Sequence, residues 1–250
     1  TRRVYSLAVM GQNRQKTPLS IVTGGRGGIG SQIMRVLAAR GDTVYSVGRS
    51  ENKINHIRTD VGAQNCYQEI LKYLGKKKID NLVFAHRYRG NDPDRDSDIS
   101  LSAIIRIAEG LETSFSRDGS IVILSSVAAI SVLDEQSGTY HATRSGLEGL
   151  TRFLAVRLGP TGVRCNCVLP STLIKPTNKK FFTKSNPVRM LIEEITPISR
   201  MGTATDIANA VEFLCSSRAS YITGQSIAID GGLSLVNPES IARRMSDLQH

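Results

Sequence analysis

Residues 23 to 30 read Thr23-Gly24-Gly25-Arg26-Gly27-Gly28-Ile29-Gly30, and Gly25, Gly27 and Gly30 meet the spacing G-x-G-x-x-G. Glycines so placed let the backbone turn sharply and approach a pyrophosphate, whose charge the positive end of a following helix then stabilises. The pattern counts only where a strand leads in and a helix leads out. Ser20-Ile21-Val22 supplies the apolar run before it, and Ile29 to Ala39 the helical periodicity after it. The chemistry implied is dinucleotide binding, with Gly24, Arg26, Gly27, Gly28, Ile29 and Gly30 at the cofactor. A protein that prefers NAD usually carries an acid at the end of the second strand, to hold the ribose 2′-hydroxyl. Here that strand ends Val47-Gly48-Arg49-Ser50. Arg49, helped by Arg26, suits a 2′-phosphate instead, so NADP(H) is expected over NAD(H), with Ser50 in the same site. The competing reading has Arg49 pointing into water.

The elements that must hold such a loop follow from the hydrophobic pattern. Val44 to Val47, Leu82 to Ala85, Ile121 to Leu124, Val163 to Leu169 and Ser226 to Ile229 read as further strands. Ile104 to Phe115, Ser145 to Leu158 and Ile207 to Leu214 read as helices. Strands apolar throughout, separated by helices, imply a parallel sheet covered on both faces. The fold class expected is therefore α/β: a Rossmann-type, doubly wound parallel sheet in a single domain, for which 250 residues suffice. Residues 1–16 read as a basic N-terminal tail. Residues 17–250 read as the nucleotide-binding domain. Within it, 171–197 is an irregular stretch beyond the sixth strand, where ligands bind in open sheets; it reads as a substrate lid or as a tethered surface insertion. A C-terminal helical tail is expected over 237–248, capped by Asn237, with Ile241, Met245 and Leu248 on one face.

Composition narrows the partners. The net charge of +10 is spread along the chain, with only Lys76-Lys77-Lys78 and Lys179-Lys180 as clusters, so a solvated basic surface is expected and nucleic acid is not. Cys66, Cys165, Cys167 and Cys215 lack paired metal-ligand spacing; no metal is expected, and a reducing, cytoplasmic setting fits them. No apolar run approaches the ~18 residues of a membrane span.

Several segments together resemble the short-chain dehydrogenase/reductase family, from about Pro18 to Leu233. Thr23, Gly24, Gly28 and Gly30 match its T-G-x-x-x-G-x-G, and Thr59-Asp60-Val61 its adenine-contacting Asp-Val. Ile121 to Ala128 resembles its serine strand, and Tyr140 to Thr151 its tyrosine helix. Ile198 to Gly202, Ile222-Thr223-Gly224-Gln225 and Asp230-Gly231-Gly232 match its C-terminal half. Within the family the segments around Tyr140 and Gly202 are most similar to 3-oxoacyl-thioester reductases. The resemblance implies hydride transfer between nicotinamide and a carbonyl or alcohol carbon. Tyr140 would be the acid or base, and Ser126, or Ser125 after a one-residue slip, would polarise the substrate oxygen. It also places Asp60, Val61, Ala85, Pro170 and Leu173 at the cofactor.

Four positions depart from the family's pattern. Its lysine is Arg144, its helix asparagine is Ser100, its Asn-Asn-Ala-Gly reads Phe84-Ala85-His86-Arg87, and its Pro-Gly reads Pro170-Ser171. Tyr140 and Arg144 lie at i and i+4 and share a helix face. A phenol titrating near pH 10 needs such a cation, and a charge at ~5 Å in an effective dielectric of about 20 contributes on the order of 3 kcal/mol. Arginine keeps that effect and can hold a ribose, but it cannot release a proton. Tyr140 must then be recharged by solvent or by His86, unless His86 is a packed or surface histidine. Arg87 either reaches the pyrophosphate or fills part of the cleft, and Arg89 and Arg95 nearby suit an anionic substrate group. The expected activity is an NADP(H)-dependent reductase or dehydrogenase of a ketone or secondary alcohol, with an acyl thioester among the substrates allowed. The competing reading is a nucleotide-binding sensor or scaffold with little turnover. A homotetramer or homodimer is implied by the resemblance.

Overall fold

The computed structural model describes residues 17–50 and 55–246. Seven strands form one parallel sheet: β1 (Leu19–Thr23), β2 (Thr43–Gly48), β3 (His56–Arg58), β4 (Ile79–Phe84), β5 (Phe115–Leu124), β6 (Arg164–Pro170) and β9 (Ser226–Ile229). Their order is β3-β2-β1-β4-β5-β6-β9. The central strands are buried along most of their length because both faces are covered, as expected for right-handed β-α-β crossovers. On one face α1 (Gly28–Ala39) and α7 (Ala204–Leu214) pack Ile33, Leu37, Ile207 and Val211 against Val22, Val83 and Val122. On the other, α2 (Cys66–Leu74), α4 (Ala103–Gly110) and α5 (Gly138–Leu158) pack Ile70, Ile104, Leu147 and Leu154 against Ile21, Leu82 and Ile121. The chain leaves β1 in one direction and β4 in the other. The crevice at their carboxyl ends is the topological switch point, where ligands of open α/β sheets bind.

Three expectations need correction. The helix read as Ile104 to Phe115 ends at Gly110; Glu112–Ser114 is a single 3₁₀ turn and Phe115 already opens β5, paired with Ile79. The same helix begins earlier, as α3 (Pro93–Ser97) followed by a π-helical turn over Asp98–Ser102, an irregularity that apolar periodicity does not reveal. Residues 171–197 are not irregular throughout. They hold β7 (Leu173–Ile174), which pairs with β8 (Gly202–Thr203), and α6 (Pro187–Ile195), which buries none of its residues. The C-terminal helix α8 (Pro238–Met245) is capped as expected, the Glu239 amide donating to Asn237 Oδ1 at 2.8 Å. It buries no residue on this domain; Leu248 lies outside the described residues, as does the 1–16 tail.

Two polar clusters brace the frame. At the amino end of the sheet the Asp42 carboxylate, fully enclosed, accepts from both Nε (3.0 Å) and Nη2 (2.6 Å) of Arg40 and from the Ser20 hydroxyl. At α7, Thr203 and Asp206 form a reciprocal capping box, and Arg200 Nη2 donates to Asp206 at 2.7 Å. The bond from Arg200 is the main cause that holds the Asp206 pKa down at about 2, against an ordinary 3.8. A carboxylate depressed on folding contributes stability above its unfolded pKa, and that contribution is lost as pH falls from about 4 to about 2. We expect Asp206→Ala to cost about 1 kcal/mol at pH 7 through the lost cap, and the gap from wild type to narrow across that window. Urea titrations at the two pH limits measure it; a constant gap would remove the linkage.

Candidate active site

Gly24, after β1, and Ala85-His86-Arg87, after β4, stand on the two sides of the switch point. Gly24 has φ +67°, and a Cβ there would lie 2.7 Å from the His86 Cα. A Cβ on Gly30 would lie 2.3 Å from the Gly24 carbonyl oxygen. The glycines are therefore required for the turn and for seating α1 beneath it. Between the loops runs a cleft of about 440 Å³ lined by Gly24, Val47, Arg49, Asp60, Val61 and His86. Arg49 is exposed at the end of β2. Next to it the His56 ring Nε2 bonds the carbonyls of Gly48 and Ser50, pinning that strand end; Ser50 enters through its backbone.

A second cleft, about 240 Å³, continues from the first. It is lined by Ile29, Ala85, Ser126, Tyr140, Arg144 and Pro170, with Leu173 and Lys175 at its edge. Ser137 caps α5 by accepting from the Tyr140 amide at 3.1 Å, which fixes the helix start and hence the rotation that turns Tyr140 and Arg144 inward. The Arg144 guanidinium carbon lies 4.8 Å from the centre of the Tyr140 ring. Arg144 is 3% exposed, and its Nε and Nη2 have no hydrogen-bond partner among the described residues. Burial lowers its pKa, opposed by Tyr140 and Asp96. Buried guanidinium donors without partners in a cleft are what a ribose hydroxyl would satisfy, so these residues fit a dinucleotide.

The choice between the two serines follows from their hydroxyls. Ser125 donates to the Arg144 carbonyl at 2.8 Å and is occupied in tying β5 to α5. Ser126 only accepts, from the Ala128 amide at 3.2 Å, which leaves its proton to donate. Ser100 is 1% exposed; its hydroxyl donates to Asp96 Oδ1 at 2.6 Å, and that oxygen lies 4.0 Å from Arg144 Nη2. Ser100 thus holds the carboxylate that faces Arg144 instead of entering the cleft itself. Asp96 went unnoticed in the sequence, although its i,i+4 spacing to Ser100 was there to be read.

His86 is half-buried and held between two elements. Its Nδ1 lies 2.7 Å from Thr23 Oγ1 and its Nε2 3.0 Å from the Ile99 carbonyl. Loss of hydration pushes its pKa down to about 4, so at neutral pH it is an uncharged bridge from β1 to the π-helical turn. Beyond Tyr140 a third cleft, about 700 Å³, is lined by Arg87, Tyr88, Arg89, Asn91, Asp96 and Thr139.

Comparison with known proteins agrees with this geometry. Residues 85–234 match the family model described as enoyl-(acyl carrier protein) reductase. The chain is 32% identical over 238 residues to 3-oxoacyl-[acyl-carrier-protein] reductase FabG of Rickettsia felis, covering 87% of this chain and 97% of that one. It belongs to the short-chain dehydrogenase/reductase family. A second relative of this family, nodulation protein G of Rhizobium meliloti, is 30% identical over 244 residues, with 87% and 97% covered. Among solved structures, ligand-free aldohexose dehydrogenase of Thermoplasma acidophilum superposes with a TM-score of 0.77 at 29% identity, covering 89% of this chain and 96% of that one.

Proposed function

We propose that this short-chain dehydrogenase/reductase is an NADP(H)-dependent oxidoreductase that interconverts a ketone and a secondary alcohol. The observation that supports it most directly is the convergence of Ser126, Tyr140 and Arg144 on a cleft continuous with the glycine loop. The nicotinamide, when bound, supplies or accepts the hydride. Ser126 donates to the substrate oxygen and orients it. Tyr140 gives its phenolic proton to that oxygen in reduction and takes it back in oxidation. Arg144 stabilises the phenolate by its charge and offers the ribose its Nε and Nη2 donors, which make no hydrogen bond among the described residues. It does not relay protons. Tyr140 also lines the open third cleft, and solvent there restores its proton. The FabG relatives favour a thioester-borne ketone. Half-exposed Phe153 and exposed Val156 on α5 support a homodimer or homotetramer, and the four free, buried cysteines suit a reducing, cytoplasmic compartment.

Arg49 tests the cofactor preference. Charge-assisted bonds contribute about 1.5–3 kcal/mol each, so Arg49→Ala should weaken NADPH roughly ten- to a hundredfold and leave NADH unchanged. Titration with either nucleotide, followed by its fluorescence, measures this. Equal losses for both would remove the 2′-phosphate assignment.

A further inference from the structure

Three cations meet above the amino end of α1. The Lys175 Cβ lies 3.3 Å from where a Cβ on Gly28 would stand, and Arg89 Nη2 lies 3.9 Å from that of Gly27. Arg87 shares the cleft wall with both. None of the three makes an ion pair or a side-chain hydrogen bond among the described residues. Asp92, Asp96 and Glu135 line the same clefts, but among the described residues none of them makes an ion pair with the three, Asp96 facing Arg144 instead. Their crowding has a cost: Lys175 is held below its ordinary pKa by burial first, then by Arg87 and Arg89. The partial positive charge of the helix end adds to the same field. Like charges gathered at a helix terminus with no acid paired to them destabilise the empty site and favour a multiply charged anion within it.

The position says which anion. The cleft holding Arg49, Asp60 and Val61 and the cleft holding Tyr140 and Arg144 share His86 and Arg87. A ligand with its adenosine in the first and its reacting ring in the second must carry its linkage past Arg87. The glycine loop lies on one side of that crossing. Arg87 and Arg89, after β4, and Lys175, after β7, reach the same crossing from other elements, Arg89 and Lys175 standing against Gly27 and Gly28.

We propose that Arg87, Arg89 and Lys175 form a clamp that holds the diphosphate linkage together with the glycine loop. The clamp makes the crossing a diphosphate site in its own right. This rests on the nucleotide-binding reading above and deepens it. Arg87 stands where the family's Asn-Asn-Ala-Gly pattern ends in glycine, so here side-chain charge is added to the backbone contacts of the loop. Affinity then depends on charge, falls steeply with ionic strength, and extends to inorganic pyrophosphate alone.

Isothermal titration of the purified chain with NADPH and with inorganic pyrophosphate, at low and high salt, tests the clamp. Arg87→Gly and Lys175→Ala should each weaken NADPH roughly tenfold or more and abolish its displacement by pyrophosphate, while Lys175→Arg keeps both. All three positions are loop residues outside the core, and circular dichroism verifies the fold of each variant. Unchanged or tighter NADPH binding by Arg87→Gly would overturn the clamp and make Arg87 an obstacle. NADPH binding that pyrophosphate does not displace would also overturn it, leaving the nucleotide reading intact. Pyrophosphate binding without any nucleotide binding would overturn the nucleotide reading and uphold the diphosphate site.

Discussion

Tyr140→Phe should lower turnover by roughly a hundred- to ten-thousandfold while NADPH binds as before. The substitution keeps the ring and therefore its packing under the Arg144 guanidinium, 4.8 Å from the ring centre. Only the hydroxyl is lost, and with it the proton that must reach the substrate oxygen. Ser126 cannot replace it, because a serine hydroxyl polarises an oxygen without a base to take up the negative charge it would leave behind. Arg144 cannot replace it either, since its guanidinium does not release a proton. Steady-state rates over a panel of ketones, including acyl thioesters, give the turnover, and nucleotide titration gives the binding. A variant within tenfold of wild type would remove Tyr140 from the chemistry. Wild-type protein that binds NADPH tightly yet turns over none of the panel would move the balance toward a nucleotide sensor.

Asp42→Ala should be the most damaging single change to stability outside the hydrophobic core, by about 3–5 kcal/mol. Asp42 is fully enclosed and answers Arg40 through two hydrogen bonds, at 3.0 and 2.6 Å, while accepting from Ser20. Removing it leaves the Arg40 charge largely out of water, with Nη1 still donating to the Glu212 carbonyl at 3.1 Å and the Glu212 carboxylate, at 3.4 Å, as its remaining ion-pair partner. The Ser20 hydroxyl, at 0% exposure, loses its acceptor as well. Breaking one half of a buried pair costs far more than the pair itself contributes, because the surviving charge keeps its desolvation penalty. The cluster sits at the amino end of the sheet, opposite the clefts, so folded variant should bind nucleotide normally. Urea denaturation should show a lower midpoint at an unchanged slope. A loss below about 1 kcal/mol would mean that Arg40 finds water or that Glu212 compensates for the missing carboxylate.

Much of the frame was legible because its signals are local. The glycine spacing from Gly24 to Gly30, the apolar runs of the central strands and the i,i+4 pair Tyr140–Arg144 each depend on residues close in the chain. The misread helix end at Gly110 has the opposite cause. Ile104 to Leu111 keeps helical periodicity, but whether Phe115 continues it is decided by its pairing with Ile79, which lies in another strand. The π-helical turn at Ser100 is likewise set by what packs on it: His86 bonds the Ile99 carbonyl and Asp96 takes the Ser100 hydroxyl. Neither contact leaves a mark in the hydrophobic pattern.

The sequence by itself determined the family, the parallel sheet and the position of the glycine loop, and it singled out Tyr140 as the residue to test, because backbone requirements and side-chain periodicity act over a few residues. Only the tertiary structure decided that Ser126 and not Ser125 has a proton to donate, that Asp96 faces Arg144, that His86 is an uncharged bridge, and that Lys175 stands beside Arg87 and Arg89. These are contacts between loops at the ends of different strands. Their physical basis is the register of the sheet, which brings together charges and hydroxyls that lie far apart along the chain.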